Sequence, residues 1–423
     1  MIPLVRSSIV LLCLIKSTIA YQNDYEPRVF DHIPLNCYDC LSYRDIILTQ
    51  LTSVPARAFA NFNLGSRDTN MILNGQLKLH FHPYAFQSLL VGKPNRTLTL
   101  TFTAPNSWLN ITEHMFHGLE LQPYSTLRLI IKFFYGCTFH RHALAGIRMG
   151  AFSRLIVDVS SITQVVFESR IVDTDDSHAS IDFLLSRTDT IIFDSHSFSS
   201  LTISSHQILS FHFELISHIH IKPYAFQSLQ LHPFSTFRFH ALFLNRLTLD
   251  SFAFQNVSFA THTIFNLTIQ TLGTCLCFKS HVFDHLHQTR PSANIQILFT
   301  FYTLRGLSFF PHAFSNLSLD HRLTIVSRNP SNDPNSIINL GKSTFSSSQP
   351  ATIVLNFSSV AVIRFEDDAL PTNHLSYQLH FEDVTLLDLA RVNASAMATD
   401  LDIHFDHVRY VKWFPWADGK TLK

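Results

Sequence analysis

The sequence predicts a β-rich repeat solenoid, on three observations. A phenylalanine-centred motif returns about every 29 residues, a pair of alternating apolar residues stands at fixed distance in front of it, and a second alternating segment lies roughly ten residues further upstream. A unit of this kind cannot close a core alone. Its apolar residues are covered only when a neighbouring unit stacks on them, so a run of such units implies one long stacked body.

The motif itself is unambiguous. His82-Pro-Tyr-Ala-Phe-Gln-Ser-Leu89 returns as Lys222-Pro-Tyr-Ala-Phe-Gln-Ser-Leu229, and the frame recurs around Phe152, Phe254 and Phe314. Taking the phenylalanine as marker gives Phe59, Phe86, Phe116, Phe152, Phe198, Phe226, Phe254, Phe283, Phe314 and Phe345, with an irregular gap of 46 between Phe152 and Phe198. Two apolar residues precede the marker by seven and five positions, as in Leu79/Phe81, Leu109/Ile111, Ile219/Ile221, Leu247/Leu249, Leu276/Phe278, Leu307/Phe309 and Ile338/Leu340. The same pair occurs as Val165/Phe167, which points to Val172 as a substituted marker inside the long gap. Ile363/Phe365 likewise points to Leu370, and Leu387/Leu389 to a weak last repeat ending near Ala394.

The upstream segments, such as Leu98/Leu100, Leu127/Leu129, Phe237/Phe239, Leu267/Ile269, Ile295/Ile297, Leu323/Ile325, Ile353/Leu355 and Leu379/Phe381, also alternate with period two. That period, in residues rich in Ile, Leu, Phe and Thr, is the signature of short strands with one buried face. Each repeat therefore reads as strand, bend, strand and a compact Phe-x-x-Leu turn. Phenylalanine makes up 39 of the 423 residues, an excess that a buried column of stacked markers explains.

Ala-Phe-x-x-Leu at this period, with an apolar residue five positions earlier, resembles the outer segment of divergent extracellular leucine-rich repeats. Phe211-His-Phe213 through Ile216, Ile221 and Ala225-Phe226 comes close to that family's full spacing. The resemblance covers roughly residues 51–400, about thirteen coils of about 29 residues with two short strands each. It implies an N-terminal cap in residues 21–50, where Cys37-Tyr-Asp-Cys40 stands in for a fuller cysteine cap, and a C-terminal cap or truncated end in 401–423. No cysteine follows Cys277, and Trp413-Phe-Pro-Trp416 is the segment available to cover the last coil. The structural alternative is a parallel β-helix; only 11 glycines argue against its tight corners, which often need positive φ.

Residues 1–20 run from basic to apolar to small, ending Thr18-Ile19-Ala20, which is the order of a secretory signal peptide. No later stretch reaches the roughly 18 uninterrupted apolar residues of a membrane-spanning helix. Thirty-one basic and 31 acidic residues balance, so no net field gathers nucleic acid or anionic lipid. Seven Asn-x-Ser/Thr sequons, at Asn95, Asn110, Asn256, Asn266, Asn316, Asn356 and Asn393, fit passage through the secretory pathway. Asn256 and Asn316 both lie two residues after a marker, which predicts one glycosylated flank and another flank left bare. The five cysteines beyond the leader, Cys37, Cys40, Cys137, Cys275 and Cys277, are too few for a disulfide scaffold and odd in number. In a strand, Cys275 and Cys277 would face away from Leu276, open to another chain or to Cys137.

Reactive chemistry is not evident. His281, His285 and His287 near Cys275 and Cys277 have metal-like spacing, yet His114, His196, His281 and His312 stand two before a marker, where Tyr84 and Tyr224 stand elsewhere. That position selects a flat ring. Asp173, Asp175 and Asp176, or Glu366, Asp367 and Asp368, could supply paired carboxylates for glycoside chemistry, but they follow strand pairs where solvated loops belong. No cofactor motif is present. The leucine-rich-repeat resemblance implies a secreted, non-catalytic protein that recognises an extracellular protein or glycan. A β-helix enzyme acting on polysaccharide and a structural matrix component are the alternatives.

Overall fold

A computed structural model describes residues 45–412, apart from 55, 60–67, 92, 173–177, 273–275, 290–294, 304, 320–321, 330–332, 348–350, 371–374 and 393–400. The described chain winds as a right-through stack of parallel strands and contains no helix. Residues 97–125 show how one coil is made. Thr97–Thr103 alternates, sending Leu98, Leu100 and Phe102 inward. After a bend, Trp108–Ile111 sends Leu109 and Ile111 inward, and a turn follows that buries Phe116 and Leu119. A two-residue strand, Glu120–Leu121, and a second turn then return the chain to Thr126.

Because every coil runs in the same sense, each strand pairs in parallel with its equivalent one coil away: Thr97 opposes Thr126, and Trp108 opposes Gly136. Fourteen long strands, from Asp45–Val54 to Leu401–Asp406, form consecutive rungs, and a single 24-stranded sheet joins them with their shorter followers. The β-rich solenoid read from the sequence is the fold.

The alternating pairs in front of the marker are all buried, from Leu79 and Phe81 to Leu387 and Leu389. Nine of the ten marker phenylalanines fill the core, and Val172 and Leu370 occupy the same site in substituted form. Phe152 is a correction. It is 57% exposed, and the residue that belongs in the core of its coil is Leu144, 1% exposed. The Leu144 amide donates to the Ile171 carbonyl as that of Phe226 donates to Ala253, so Ala143-Leu144 is the true counterpart of Ala225-Phe226. Phe152 follows instead in the turn leading into the long strand Arg154–Phe167.

The core compensates for this substitution. Where Leu144 and Val172 interrupt the marker column, Phe139, Phe167 and Phe193, five positions earlier, stack at centroid distances of 5.0 Å. Elsewhere the markers stack directly, Phe59 on Phe86 at 4.7 Å and Phe226 on Phe254 at 4.8 Å. One column hands its volume to the other, which keeps the interior close-packed. Residue 394 and the Trp413–Trp416 segment lie outside the described residues, as do Cys37 and Cys40.

Candidate recognition surface

The coil corners are built from residues in the left-handed region. Two before the marker, Arg57, Tyr84, His114, His142, Arg170, His196, Tyr224, Phe252, His281, His312, Ser343 and Asp368 all have φ between 48° and 66°. Left-handed backbone costs a non-glycine residue roughly 1–2 kcal/mol, so a repeated cost calls for a repeated return. That return is visible: the amide at this position donates along the stack to the equivalent carbonyl, Arg57 to Tyr84, His142 to Arg170, Tyr224 to Phe252 and His281 to His312, at 3.0–3.3 Å. The side chains stack in the same direction. Tyr84, His114 and His142 form one run, and His196, Tyr224, Phe252, His281 and His312 another, at 5.3–5.7 Å. The flat ring expected there from sequence is thus a stacking element.

A second, more exposed row lies in the turn ahead of the long strand. Tyr124, Phe152, His178, His206, Phe234 and His262 stack over six successive coils, at 5.2, 5.6, 5.1, 4.8 and 4.8 Å. All six are exposed, Tyr124, Phe152 and Phe234 by 50–59%. With one rung every ~4.8 Å this ladder runs for about 24 Å. Four of the five contacts are stacked face to face, within 15° of parallel, and the His178–His206 pair is tilted by 46°. The motif-like surroundings of Phe152, which read as a core position, hide this row in the sequence. Once Leu144 is in register, Tyr124, Phe152, His206, Phe234 and His262 each fall eight residues after a core marker.

The remaining expected sites scatter. His281 stacks in the first row and its Nδ1 meets the Ser315 hydroxyl at 2.9 Å, while the His287 ring nitrogen meets the His285 carbonyl. No group of three or more His, Cys, Asp or Glu among the described residues is placed to hold a metal ion. Glu366 accepts the Lys342 amide, and Asp368 takes a left-handed corner; Asp173, Asp175 and Asp176 lie outside the described residues. Clefts between adjacent coils, one lined by His117, Glu120, Gln122 and Arg148 and another by His142, Arg170, Leu201 and Thr202, hold no two carboxylates.

Several other carboxylates are tied to partners. Asp182 is hydrogen-bonded by Arg154 Nε at 2.5 Å and by the Ser210 hydroxyl. Burial would raise the Asp250 carboxyl, but hydrogen bonds from Lys279 and His220 outweigh it and hold it below its ordinary range. Burial opposes ionisation of Asp284 too, and the hydrogen bonds of Ser315, Asn316 and Gln255 again prevail.

Two expectations need correction. The sequons do not mark one flank. Asn256 and Asn316 share a left-handed turn position, but Asn95 sits in the turn of the exposed ladder, Asn110 faces out from Trp108–Ile111, and Asn266 and Asn356 face out from long strands; Asn393 lies outside the described residues. Six sequons on several faces leave no flank distinguished by two. The second concerns Cys137, which points into the core and is fully buried, whereas Cys277 faces outward opposite Leu276 and Phe278. The two are five rungs apart, about 24 Å, far beyond disulfide reach; Cys275 lies outside the described residues. No family model matches the chain, and no curated protein or solved structure matches it either.

Proposed function

We propose that this chain is a secreted glycoprotein whose solenoid works as a recognition or adhesion surface for an extracellular protein or glycan, without catalysis. The observation that carries the reading is the exposed ladder of Tyr124, Phe152, His178, His206, Phe234 and His262. Exposed aromatic side chains are the commonest anchors of binding surfaces, and rings braced by stacking lose little entropy on contact. The signal-like residues 1–20, the sequons and the resemblance to extracellular leucine-rich repeats support the same reading.

The test is a screen of the secreted protein against arrays of extracellular ectodomains and glycans, beside a variant carrying Tyr124→Asp, Phe152→Asp and Phe234→Asp. Aspartate tolerates the left-handed backbone, so the fold is retained and circular dichroism should be unchanged. A ligand whose affinity falls at least about tenfold in the variant is expected. Ligands that bind both proteins equally, or cleavage of an arrayed polysaccharide, would contradict the proposal.

A further inference from the structure

Among the described residues, Asn110, Asn266 and Asn356 face outward from strands of the large sheet, and of these only Asn110 has an indole or phenol ring beside it, the register partner of Asn356 being His380. Two residues before Asn110, on the same outward face, stands Trp108; the corresponding neighbours of Asn266 and Asn356 are Ile264 and Val354. Residues two apart on a strand share a face within side-chain reach of each other.

Trp108 is held flat. It opposes Gly136 on the next rung, and a Cβ there would come within 2.4 Å of the indole ring. The absence of a side chain at Gly136 therefore lets the indole lie across that rung. Its Nε1–H donates to Thr138 Oγ1 at 3.0 Å, and Thr138 is the register partner of Asn110. That bond steers the indole toward the row containing Asn110. With one face on Gly136, the other is turned outward: Trp108 remains 37% exposed, and Tyr135, 57% exposed, extends the surface at a centroid distance of 6.1 Å.

We infer that Trp108 and Tyr135 form a platform for the N-acetylglucosamine core of a glycan carried by Asn110 itself. An aromatic face carries partial negative charge, and the C–H groups on the flat side of a pyranose carry partial positive charge, so the two surfaces are complementary in charge and shape. A sugar attached two residues away reaches the ring at high effective concentration and loses little freedom by settling on it. The platform takes a ligand of the chain's own, which also covers apolar surface at the bend. This inference rests on the reading of the chain as a secreted glycoprotein.

The test is nuclear magnetic resonance of the full secreted protein with isotopically labelled glycans, after glycopeptide mass spectrometry has established which sequons are occupied. Ring current should shift the C–H resonances of the first sugars on Asn110 upfield of those on Asn266, whose register partners Arg238 and Leu298 carry no ring. The shift should vanish in Trp108→Leu. It should shrink in Gly136→Ala, which keeps the indole but lifts it from its bed, so a folding defect in one variant leaves the other informative. Sugar resonances on Asn110 matching those on Asn266, or an Asn110 left bare while other sequons are occupied, would overturn the inference. If no sequon carries sugar, the glycoprotein reading fails with it.

Discussion

Truncating Phe226 and Phe152 to alanine should have sharply different costs, although both sit in an Ala-Phe motif. Phe226 is fully buried, stacked between Phe198 at 5.4 Å and Phe254 at 4.8 Å, with Phe211 and Phe237 edge-on at 5.7 and 5.9 Å. Removing such a ring costs about 3–5 kcal/mol. The upper half of that range is expected here, because the corner hydrogen bonds hold neighbouring coils apart and the cavity cannot collapse. Phe152 loses only its stacking on Tyr124 and His178, about 0.5–1.5 kcal/mol, and φ of 58° strains alanine no more than phenylalanine. Equilibrium denaturation, with hydrogen exchange to locate the loss because repeat arrays need not unfold in one step, reads the difference. Equal losses, within about 1 kcal/mol, would refute the register that places one ring inside and the other outside.

Acidification should weaken the fold in two stages. Burial, reinforced by neighbouring charge, lowers the pKa of His80, His218 and His240 from 6.5. The unfolded chain binds those protons more readily, so their contribution is complete above pH 6.5 and is lost as pH falls below it. Asp250 and Asp284, lowered from 3.8, hold their contribution above that value and lose it on further descent; melting temperature against pH records both stages. Burial pushes the Cys137 thiol up, so a thiol reagent followed by peptide mass spectrometry should leave Cys137 unmodified until the protein is unfolded. Gly306→Ala should cost about 1–3 kcal/mol in backbone strain, read as a lowered melting temperature, since Gly306 has φ of 148° and a Cβ there would lie 2.2 Å from the Ile337 carbonyl oxygen.

Strand positions were legible because inward residues repeat every second position on both strands of a coil, and the paired residues before the marker are buried throughout. The two-residue strands such as Glu120–Leu121 were not legible. Most supply a single inward side chain, such as Leu121 or Leu231, and Arg148–Met149 and His287–Gln288 bury none, which is too little for a period. Phe152 misled because Met149-Gly-Ala-Phe-Ser-Arg-Leu155 imitates the motif, while Leu144 carries the core position without a phenylalanine. Spacing contained the remedy: intervals of 36 and 46 between Phe116, Phe152 and Phe198 become 28, 28 and 26 through Leu144 and Val172. The ring preference two before the marker was visible, but the left-handed backbone behind it was not, since tyrosine and phenylalanine do not announce that conformation as glycine or asparagine does.

The most direct measurement is hydroxyl-radical footprinting of the native protein, read residue by residue by mass spectrometry. The account expects rapid oxidation of Tyr124, Phe152 and Phe234, with Phe86, Phe226 and Phe254 protected until the coils unfold. Protection of Phe152 together with the core phenylalanines would mean that the exposed ladder does not exist, and the proposed recognition surface would go with it.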